Sequence, residues 1–385
     1  MDINTRALVL HKKNRGKIRI ESKVPLRNKD DLGLAYTPGV AEPCRVIAAR
    51  PEEVYNYTAK GNLVAIVTDG SAVLGLGNIG PEASLPVMEG KAALFKAFGQ
   101  VDAVPICLAT QDEDAIVETV KLIAPAFGGI NLEDISAPRC FTIEERLKTE
   151  LSIPVFHDDQ HGTAIVVLAG LINALKVVGK ELEEAAIIIN GAGAAGIAIA
   201  RLLTLAGAGD VVLCDRMGVI YAGRPTNNAV KEELACETNR EGIRGDLSAA
   251  MPGRDVFIGV SAPGTVNSQM VASMARKPVV FALANPVPEI FPEEAQAAGA
   301  AVVGTGRSDY PNQVNNVLAF PGVFRGTFDA RAVQITDAMK LAAAQALADM
   351  VGARVSPEFC LPDAFEPEVA TRVAQAVRVA ATEKY

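Results

Sequence analysis

The stretch Ala186-Ile187-Ile188-Ile189-Asn190-Gly191-Ala192-Gly193-Ala194-Ala195-Gly196 decides the fold of this chain. Its short apolar run predicts a strand, a glycine-rich turn follows at once, and the alanine-rich run from Ile197 to Ala206 predicts a helix. A second strand is predicted at residues 210–215, which places Asp215 nineteen residues after Gly196. This is the GxGxxG pattern of dinucleotide-binding loops in its full context. We therefore predict that residues 191–196 and Asp215 bind a dinucleotide.

Strands and helices alternate along the rest of the chain. Short β-branched runs predict further strands, and two alanine-rich segments near the C-terminus have apolar residues at helical spacing. Such alternation is typical of α/β folds with parallel sheets. We predict an N-terminal α/β catalytic domain over residues 1–160, then a Rossmann-type doubly wound parallel-sheet domain with C-terminal helices over 161–385. The predicted strands are 63–68, 101–108, 255–260, 278–283 and 301–303, and the predicted helices are 331–350 and 366–382.

Composition excludes several classes of function. The chain has 385 residues, 45 acidic against 37 basic, and a net charge of -8. A nucleic-acid-binding protein would normally carry a basic face, so we expect no nucleic acid partner. The longest apolar stretch, residues 163–178, is shorter than the ~20 residues of a membrane span, so we expect a buried helix and no membrane association. Six cysteines without a CxxC pair and an N-terminus without a secretory signal predict a cytoplasmic protein.

A second GxGxxG match, Gly75-Leu-Gly77-Asn-Ile-Gly80, lies in the first half of the chain. It follows a predicted strand. However, Pro81 and Pro86 are expected to interrupt the helix that would bind a pyrophosphate, and no acidic residue ends a following strand at the expected distance. We interpret this segment as an active-site loop.

Two acidic pairs, Glu133-Asp134 and Asp158-Asp159, stand in well-separated segments. Each pair alone is typical of solvated charges or helix caps. However, Asp159 lies between apolar residues 154–156 and an apolar helix, where burying an unpaired carboxylate would be costly. Three carboxylates from two segments suit a hard cation, so Glu133, Asp134 and Asp159 are predicted to bind Mg²⁺ or Mn²⁺. We interpret His157 and His161 as supporting or capping residues, because such a cation does not need imidazole.

Lys91 and Tyr36 cannot be assigned a catalytic role from spacing. Lys91 lies on the apolar opening of a predicted helix, where a lysine usually extends its ammonium to solvent. Tyr36 lies in Ala35-Tyr36-Thr37-Pro38-Gly39 and could equally be a core aromatic in a turn.

Several motifs in one order extend over positions 36–322, and together they resemble the malic enzymes, in particular the short bacterial form. These are 36–40 (YTPGV), 75–77 with Gly90-Lys91, Glu133-Asp134, 156–159 with Gly162-Thr163, 191–196, 284–286, Asn315-Asn316 and 320–322. The resemblance implies oxidative decarboxylation of L-malate to pyruvate and CO₂ with reduction of NAD or NADP, in a homodimer. It implies that Lys91 is the base, Tyr36 the acid, Glu133, Asp134 and Asp159 the Mg²⁺ or Mn²⁺ ligands, and Asn285 and Asn315 contacts to cofactor and substrate.

One departure from the longer eukaryotic relatives concerns the substrate carboxylate. There the Thr-Asp-Gly segment is followed by Glu-Arg, whose arginine holds that carboxylate, whereas here Gly70 is followed by Ser71-Ala72. The arginine could be replaced as carboxylate anchor by Ser71, by backbone amides of the 75–80 loop or by a group from a partner subunit. We also expect a partly desolvated Lys91 beside a divalent cation to favour its neutral form, which suits a base.

Alternatives remain open at this stage. The main activity could be decarboxylation of oxaloacetate or another 2-hydroxy acid, or the chain could be a catalytically silent nucleotide-sensing module. Asp215 would accept hydrogen bonds from ribose hydroxyls and repel a 2′-phosphate, so NAD is favoured, but the adjacent Arg216 leaves NADP open. Tyr36 and Lys91 could also reach the active site of a partner subunit.

Overall fold

The computed structural model describes residues 2–382 and contains two largely parallel sheets. The first sheet is fully parallel, with strand order β2-β1-β3-β4. The second has the order β10-β9-β8-β5-β6-β7, and only β7 runs antiparallel to its neighbour. The strands are β1 Leu63–Thr68, β2 Asp102–Cys107, β3 Gly129–Leu132, β4 Val155–His157, β5 Ala186–Asn190, β6 Asp210–Asp215, β7 Gly218–Val219, β8 Val256–Gly259, β9 Val279–Ala282 and β10 Val302–Thr305.

Helices connect the strands and close both sheets. They are α1 Ile3–Asn14, α2 Lys29–Ala35, α3 Ala41–Ala49, α4 Val54–Tyr57, α5 Pro81–Gly99, α6 Glu113–Ile123, α7 Arg139–Glu150, α8 Asp158–Val178, α9 Ala194–Leu205, α10 Ala229–Ala235, α11 Leu247–Ala250, α12 Ser268–Ala272, α13 Pro292–Ala297, α14 Phe320–Asp329, α15 Asp337–Val351 and α16 Val369–Thr382. The predicted α/β class with a Rossmann-type sheet and C-terminal helices is confirmed.

The second sheet is buried on both faces, which explains its continuous apolar strands. Ile187 and Ile189 of β5 pack in one core, and Ile188 between them packs in the other. Because successive strand residues point to opposite faces, a strand covered on both sides must be apolar throughout. This is why the Ala186–Asn190 run carries no alternation.

Helix α8 is the central helix of the molecule. It is long and apolar enough to span a membrane by length and composition, but 72% of its most apolar window is buried inside the protein. The prediction of a buried helix is therefore confirmed. Because α8 begins at Asp158, the predicted boundary between residues 160 and 161 falls in its first turn, and this division stays a prediction.

The C-terminal helices also cover the first sheet. Phe320 and Phe324 of α14 contact Phe95 of α5 edge-on, with ring centroids 4.6 and 5.2 Å apart. One apolar core is consequently continuous from the first sheet to the C-terminal helices.

The expectation that prolines interrupt the helix after the 75–80 loop is wrong. Helix α5 runs unbroken from Pro81 to Gly99. Pro81 occupies its first turn, where a missing N–H costs nothing because that donor has no partner within the helix. Pro86 lies inside the helix, and the buried side chains of Met88, Ala92 and Phe95 hold this segment against the core.

Candidate active site

The acidic pairs meet at the carboxyl edge of the first sheet. Glu133 and Asp134 follow β3, Asp158 and Asp159 follow β4, and the two strands are parallel neighbours with Leu132 opposite His157. Asp134 adopts a left-handed backbone conformation with φ of 55°, which turns the chain where consecutive side chains would otherwise point to opposite faces. One oxygen each of Glu133, Asp134 and Asp159 lies within 4.8 Å of the others, and the Asp134 N–H donates to Asp159 at 2.8 Å.

The electrostatics of this cluster suit a divalent cation. Burial, together with the neighbouring Asp159 carboxylate, raises the pKa of Asp134 to about 8, and burial likewise raises the pKa of Glu133. Within residues 2–382, Oδ2 of Asp134 is buried without a hydrogen-bond partner. Three converging oxygens that repel one another, with an unsatisfied acceptor among them, fit Mg²⁺ or Mn²⁺.

Lys91 is buried in this cluster rather than extended to solvent. Its ammonium lies 2.9 Å from Glu133 Oε1, pairs with Asp158 Oδ2 and sits 4.2 Å above the Phe320 ring. Burial disfavours the charged form, but Asp158 and Glu133 outweigh it and raise the pKa of Lys91 above its ordinary value. Desolvation by itself is therefore not enough to make Lys91 neutral, because two carboxylates face the ammonium; the expectation that Lys91 is neutral beside a divalent cation stays a prediction.

Asp158 and Asn316 belong to the site, although sequence reasoning gave neither a role. Asn316, which follows β10 and opens a short 3₁₀ helix, donates its side-chain amide to the Asp158 oxygen that pairs with Lys91. A Cβ at position 162 would lie 1.9 Å from Asp158 Oδ1, so Gly162 leaves the space that this carboxylate occupies. Two features of the sequence could have indicated the role of Asp158: its position next to Asp159 and the Gly162-Thr163 motif that follows.

The two histidines beside the acids differ in their surroundings. His161 lies 2.8 Å from Glu144, whose buried carboxylate also pairs with Lys148. His157 precedes α8 as its N-cap residue, but its side chain makes no capping hydrogen bond. His161 thus supports the first turn of α8 through Glu144. The side chain of His157, in contrast, does not cap this helix.

Ser71 lies where the longer relatives have their carboxylate-binding segment, and an arginine contacts it. Its Oγ accepts the Ser136 N–H at 2.9 Å and a donor of Arg139 at 3.0 Å. Arg139 also forms an ion pair with Asp69 at 2.9 Å. The guanidinium thereby ties the Thr68–Ser71 segment to the loop that carries Glu133 and Asp134.

The 75–80 loop reaches across to the second sheet. A Cβ at Gly75 would lie 3.0 Å from the Asn285 carbonyl oxygen, so the loop touches the turn that contains the cis Asn285-Pro286 bond. The segment that we interpret as an active-site loop therefore lies beside Asn285, which is predicted to contact the cofactor and the substrate. Asn315, in contrast, uses its side-chain oxygen to cap the Val317 N–H.

Tyr36 is not part of this cluster within one chain. Its side chain is 67% exposed, and among residues 2–382 no hydrogen bond joins its hydroxyl to Lys91 or to the acidic residues. Helices α1, α2 and α3 around it bury no residue.

The dinucleotide loop has the geometry that its glycines predict. Gly191 has φ of 118°, and a Cβ there would lie 2.5 Å from the Val260 carbonyl oxygen. A Cβ at Gly196 would lie 1.7 Å from the Gly191 oxygen, whereas at Gly193 nothing lies within 4 Å. The first and third glycines allow tight packing, and the second leaves the backbone open to a pyrophosphate at the start of α9.

A buried carboxylate, Glu289, fixes the loops beside this turn. It accepts the Ser261 N–H at 2.8 Å and the Ala284 N–H at 3.0 Å. Ser261 in turn accepts from Asn190 at 2.8 Å. Glu289 therefore joins the carboxyl ends of β5, β8 and β9, a role that its isolated position in the sequence did not indicate.

Asp215 ends β6 as predicted, but cations surround it. Arg224 donates to both of its oxygens, at 2.9 and 2.6 Å, and Lys231 donates at 2.6 Å. Burial opposes ionisation, but these hydrogen bonds outweigh it and hold the pKa of Asp215 below its usual range. Arg216, the cation expected to matter, is exposed.

Comparison with known families decides the class of the protein. Residues 15–115 and 109–148 match the malic enzyme N-terminal domain, and residues 160–382 match the malic enzyme NAD-binding domain. The chain belongs to the malic enzyme family. This confirms the resemblance read from the sequence, and with it the prediction of an NAD(P)-dependent enzyme of this class.

Relatives and solved structures agree over nearly the full chain. The bifunctional malic/malolactic enzyme of Bacillus subtilis is 60% identical over 100% of this chain and 94% of its own length. The NAD-dependent malic enzyme of Geobacillus stearothermophilus is 54% identical over 99% of this chain and 79% of its own. The crystal structure of the NAD-dependent malic enzyme from Thermotoga maritima is 51% identical, with a TM-score of 0.93, over 97% of this chain and 98% of that one.

Proposed function

We propose that this protein oxidatively decarboxylates L-malate to pyruvate and CO₂ while it reduces a nicotinamide dinucleotide. The observation that carries the proposal is the contact of Lys91 with Glu133, within a buried group of carboxylates. Asn316 lies in the half of the chain that carries the dinucleotide loop, and its side-chain amide donates a hydrogen bond to Asp158. The acidic site is therefore in contact with that half of the chain. A site of this kind can oxidise a hydroxy acid and then decarboxylate the product.

Each residue has a step in this reaction. Glu133, Asp134 and Asp159 would hold a divalent cation, which supplies Lewis-acid polarisation of the substrate C2 oxygen and stabilises negative charge there. Lys91 takes the proton of the C2 hydroxyl as hydride leaves for the nicotinamide, and Asp158 and Asn316 hold Lys91 in place. Tyr36 donates a proton to C3 after CO₂ departs. For Lys91 to accept a proton, the negative charge of Asp158 and Glu133, which favours its ammonium form, has to be offset.

The direct test is malate-dependent formation of NADH or NADPH with Mn²⁺, with and without EDTA. We expect turnover with Mn²⁺, its loss in EDTA and its return when Mn²⁺ is added in excess. Pyruvate and CO₂ should form in equal amounts with the reduced dinucleotide. Turnover that is unaffected by EDTA would overturn the cation site, and absence of turnover with either dinucleotide would overturn the proposal.

A second activity has one supporting observation. The relative at 60% identity is named a bifunctional malic/malolactic enzyme. Lactate should therefore be measured beside pyruvate in the same reactions. A purely sensing role is disfavoured because a sensor needs only the 191–196 loop, whereas the chain also buries Lys91 among carboxylates whose mutual repulsion costs stability.

We further propose a cytoplasmic homodimer in which Tyr36 acts in the partner's site. The N-terminal region leaves many apolar side chains exposed, among them Ile3, Leu8, Ile20, Leu26 and Leu34. Many exposed apolar side chains in one region of the chain are typical of a segment that packs against a partner subunit. Lys91 contacts Glu133 of its own chain, so of the two catalytic residues only Tyr36 is free to cross to the other subunit. The six free cysteines fit a reducing compartment.

Mixed dimers test the shared site. Tyr36→Phe and Lys91→Ala chains, each of low activity, are unfolded, mixed and refolded together. If Tyr36 crosses, half of the sites in each mixed dimer are intact, and about one quarter of wild-type activity returns after random pairing. The control mixes Lys91→Ala with Asp159→Asn, two changes in the same site, which should recover none. No recovery with the Tyr36 variant would place Tyr36 in its own chain's site.

A further inference from the structure

Glu144 of α7 is a buried carboxylate that binds the first turn of α8. One of its oxygens accepts the His157 N–H at 3.2 Å and lies 2.8 Å from Nε2 of His161, and the other accepts the side-chain amide of Gln160 at 3.2 Å. An ionised carboxylate only accepts hydrogen bonds, so His161 donates from this nitrogen. The three donors lie immediately before and after the two aspartates that open α8.

The start of α8 needs an acceptor from outside the helix. The first N–H groups of a helix have no partner within it, and a helix N-terminus attracts negative charge. His157 is the N-cap residue of α8, but its side chain makes no capping hydrogen bond. Glu144 supplies an acceptor here from a different helix. Because its three donors come from different positions of one turn, they fix both the distance and the rotation of that turn relative to α7.

The charge of Glu144 is balanced within its own helix. Lys148, one turn further along α7, pairs with it at 2.7 Å. Burial opposes ionisation of Glu144, but His161 and Lys148 outweigh it and hold the pKa of this carboxyl well below its usual range. The carboxylate is therefore ionised at neutral pH and can accept all of these hydrogen bonds.

The two helices that Glu144 joins each follow one part of the cation site. Helix α7 follows the Glu133-Asp134 pair, whereas α8 opens with Asp158 and Asp159. The three converging oxygens lie within 4.8 Å of one another. Mg²⁺ holds its ligands at ~2.0–2.1 Å in octahedral geometry, so neighbouring oxygens around it lie about 3 Å apart. The position of α8 relative to α7 therefore decides how well these oxygens fit an ion.

We infer that Glu144 is a positioning residue for the cation site. From α7 it holds the first turn of α8, and thereby sets how far the two aspartates of this turn lie from the Glu133-Asp134 pair. The inference rests on the proposed function, because the cation belongs to that function. Loss of a partner that orients metal ligands typically costs about 10–100-fold in metal affinity or activity.

The affinity for Mn²⁺ alone tests the inference without turnover. Free Mn²⁺ is measured by electron paramagnetic resonance in a titration of the wild type, Glu144→Gln and Glu144→Asp. We expect both variants to bind Mn²⁺ at least about tenfold more weakly. The glutamine loses the charge, and the aspartate keeps the charge but is one methylene too short to reach α8. Unchanged affinity in Glu144→Asp would overturn the inference, even if Glu144→Gln bound Mn²⁺ weakly, because charge rather than position would then be what matters.

His161 provides a second test in which Glu144 and its lysine partner remain. His161→Gln keeps a side-chain N–H that can donate to Glu144, and it should retain most of the Mn²⁺ affinity. His161→Leu removes this donor and should weaken Mn²⁺ binding several-fold. Equal affinities for these two variants would contradict the positioning role, and this comparison does not depend on the folding of the Glu144 variants.

A matched carboxylate in the second sheet controls for loss of stability. Asp255 also pairs with a lysine, Lys180 at 2.5 Å, and also accepts a backbone N–H, that of Ala186 at 2.9 Å. Asp255→Asn should lower the free energy of unfolding but leave the Mn²⁺ affinity of the folded protein within about twofold, because the site lies far from the acidic residues. Equal weakening of Mn²⁺ binding in Asp255→Asn and Glu144→Gln would mean that Glu144 only supports the fold.

Kinetics separate this inference from the proposed function. With saturating Mn²⁺, Glu144→Asp should lower kcat about tenfold, while KM for the dinucleotide stays within about twofold. If the wild type oxidises malate and the Glu144 variants bind Mn²⁺ and turn over like the wild type, the inference fails and the proposed function stands. If Glu144→Asp weakens Mn²⁺ binding but the wild type reduces neither dinucleotide with malate, the proposed function fails and the positioning role stands.

Discussion

Two aspartate sites at the edges of two parallel sheets have opposite surroundings. Asp134, after β3, lies among other carboxylates, and one of its oxygens is buried without a partner among the described residues. Asp215, at the end of β6, accepts hydrogen bonds from Arg224 and Lys231. Burial acts on both, but the pKa of Asp134 is raised to about 8 and that of Asp215 is lowered. The first site holds more carboxylates than the single ammonium of Lys91 offsets, whereas the second holds two cations against one carboxylate.

This difference shows what an acidic residue at a strand end can and cannot indicate. Both aspartates follow apolar strands at the edge where ligands of parallel sheets bind. Their electrostatic surroundings are nevertheless opposite, because the neighbouring side chains decide the sign of the local potential. An acid surrounded by acids suits a cation, whereas an acid that is already paired with cations needs no further one.

The largest effect is expected when the acidic site loses a ligand. Asp159→Asn should lower malate turnover by at least about 10³-fold, because the cation no longer has three carboxylates. Mn²⁺ affinity, followed by calorimetry, should fall strongly, while binding of dinucleotide to the other sheet stays within about twofold. The control is Asp349→Asn, at an exposed position of α15. Normal turnover of Asp159→Asn at limiting Mn²⁺ would contradict the cation assignment.

Lys91 tests whether the acidic site does more than bind a cation. Lys91→Ala should lower kcat by about 10²–10⁴-fold, the usual contribution of a general base. Mn²⁺ affinity should not fall, because the change removes a positive charge 2.9 Å from Glu133. Lys96→Ala, on the same helix but with a side chain 58% exposed, is the matched control. Parallel loss of Mn²⁺ binding and turnover would mean that Lys91 only holds the carboxylates in place.

Sequence patterns predicted the helices and strands and the grouping of the acidic residues. They did not predict which side chains pair with each charged group. Strand β1 lies where it was predicted, at Leu63–Thr68, and the 191–196 turn has its predicted helix and strand on either side. The Asn316 contact with Asp158 joins residues 158 positions apart, so periodicity carries no trace of it. Arg224 reaches Asp215 from a segment without regular spacing. Local patterns report the backbone, whereas the charge balance of a site depends on tertiary contacts.

Removing the charge at the cationic site should destabilise the protein. Asp215→Asn leaves Arg224 buried without its counter-charge, and we expect a loss of about 3 kcal/mol in the free energy of unfolding. Because the pKa of Asp215 is lowered in the folded state, its stabilisation is fully present above the unfolded value near 3.8 and is lost only as the pH falls below it. The loss in the variant should therefore be constant from about pH 6 to 8 by urea unfolding.

A matched change at an exposed pair isolates the effect of burial. Asp309→Asn removes the partner of Arg307, with Asp309 58% exposed, and should cost less than about 0.5 kcal/mol. Equal losses for Asp215→Asn and Asp309→Asn would mean that the cluster at β6 is an ordinary surface ion pair.

The same substitution at the acidic site should have the opposite sign. Without a cation, Asp134→Asn removes one of three repelling carboxylates, and an amide can donate to Asp159, so we expect a gain of about 1–2 kcal/mol at pH 8. Because the pKa of Asp134 is raised to about 8, the folded wild type holds a proton that the unfolded chain releases near 3.8. Wild-type stability should thus fall as the pH rises between these values, and the advantage of the variant should grow from pH 5 to 8.

Saturating Mn²⁺ should reverse this order, because the ion stabilises only a folded state that binds it, and the wild type binds it more tightly. The measurement is the free energy of unfolding in urea of the wild type and of Asp134→Asn, with EDTA and with Mn²⁺, at pH 5 and at pH 8. If Asp134→Asn were less stable than the wild type in EDTA at every pH, the carboxylates would not repel one another as the structure indicates. The contrast between the two sheet edges would then rest on Asp215 alone.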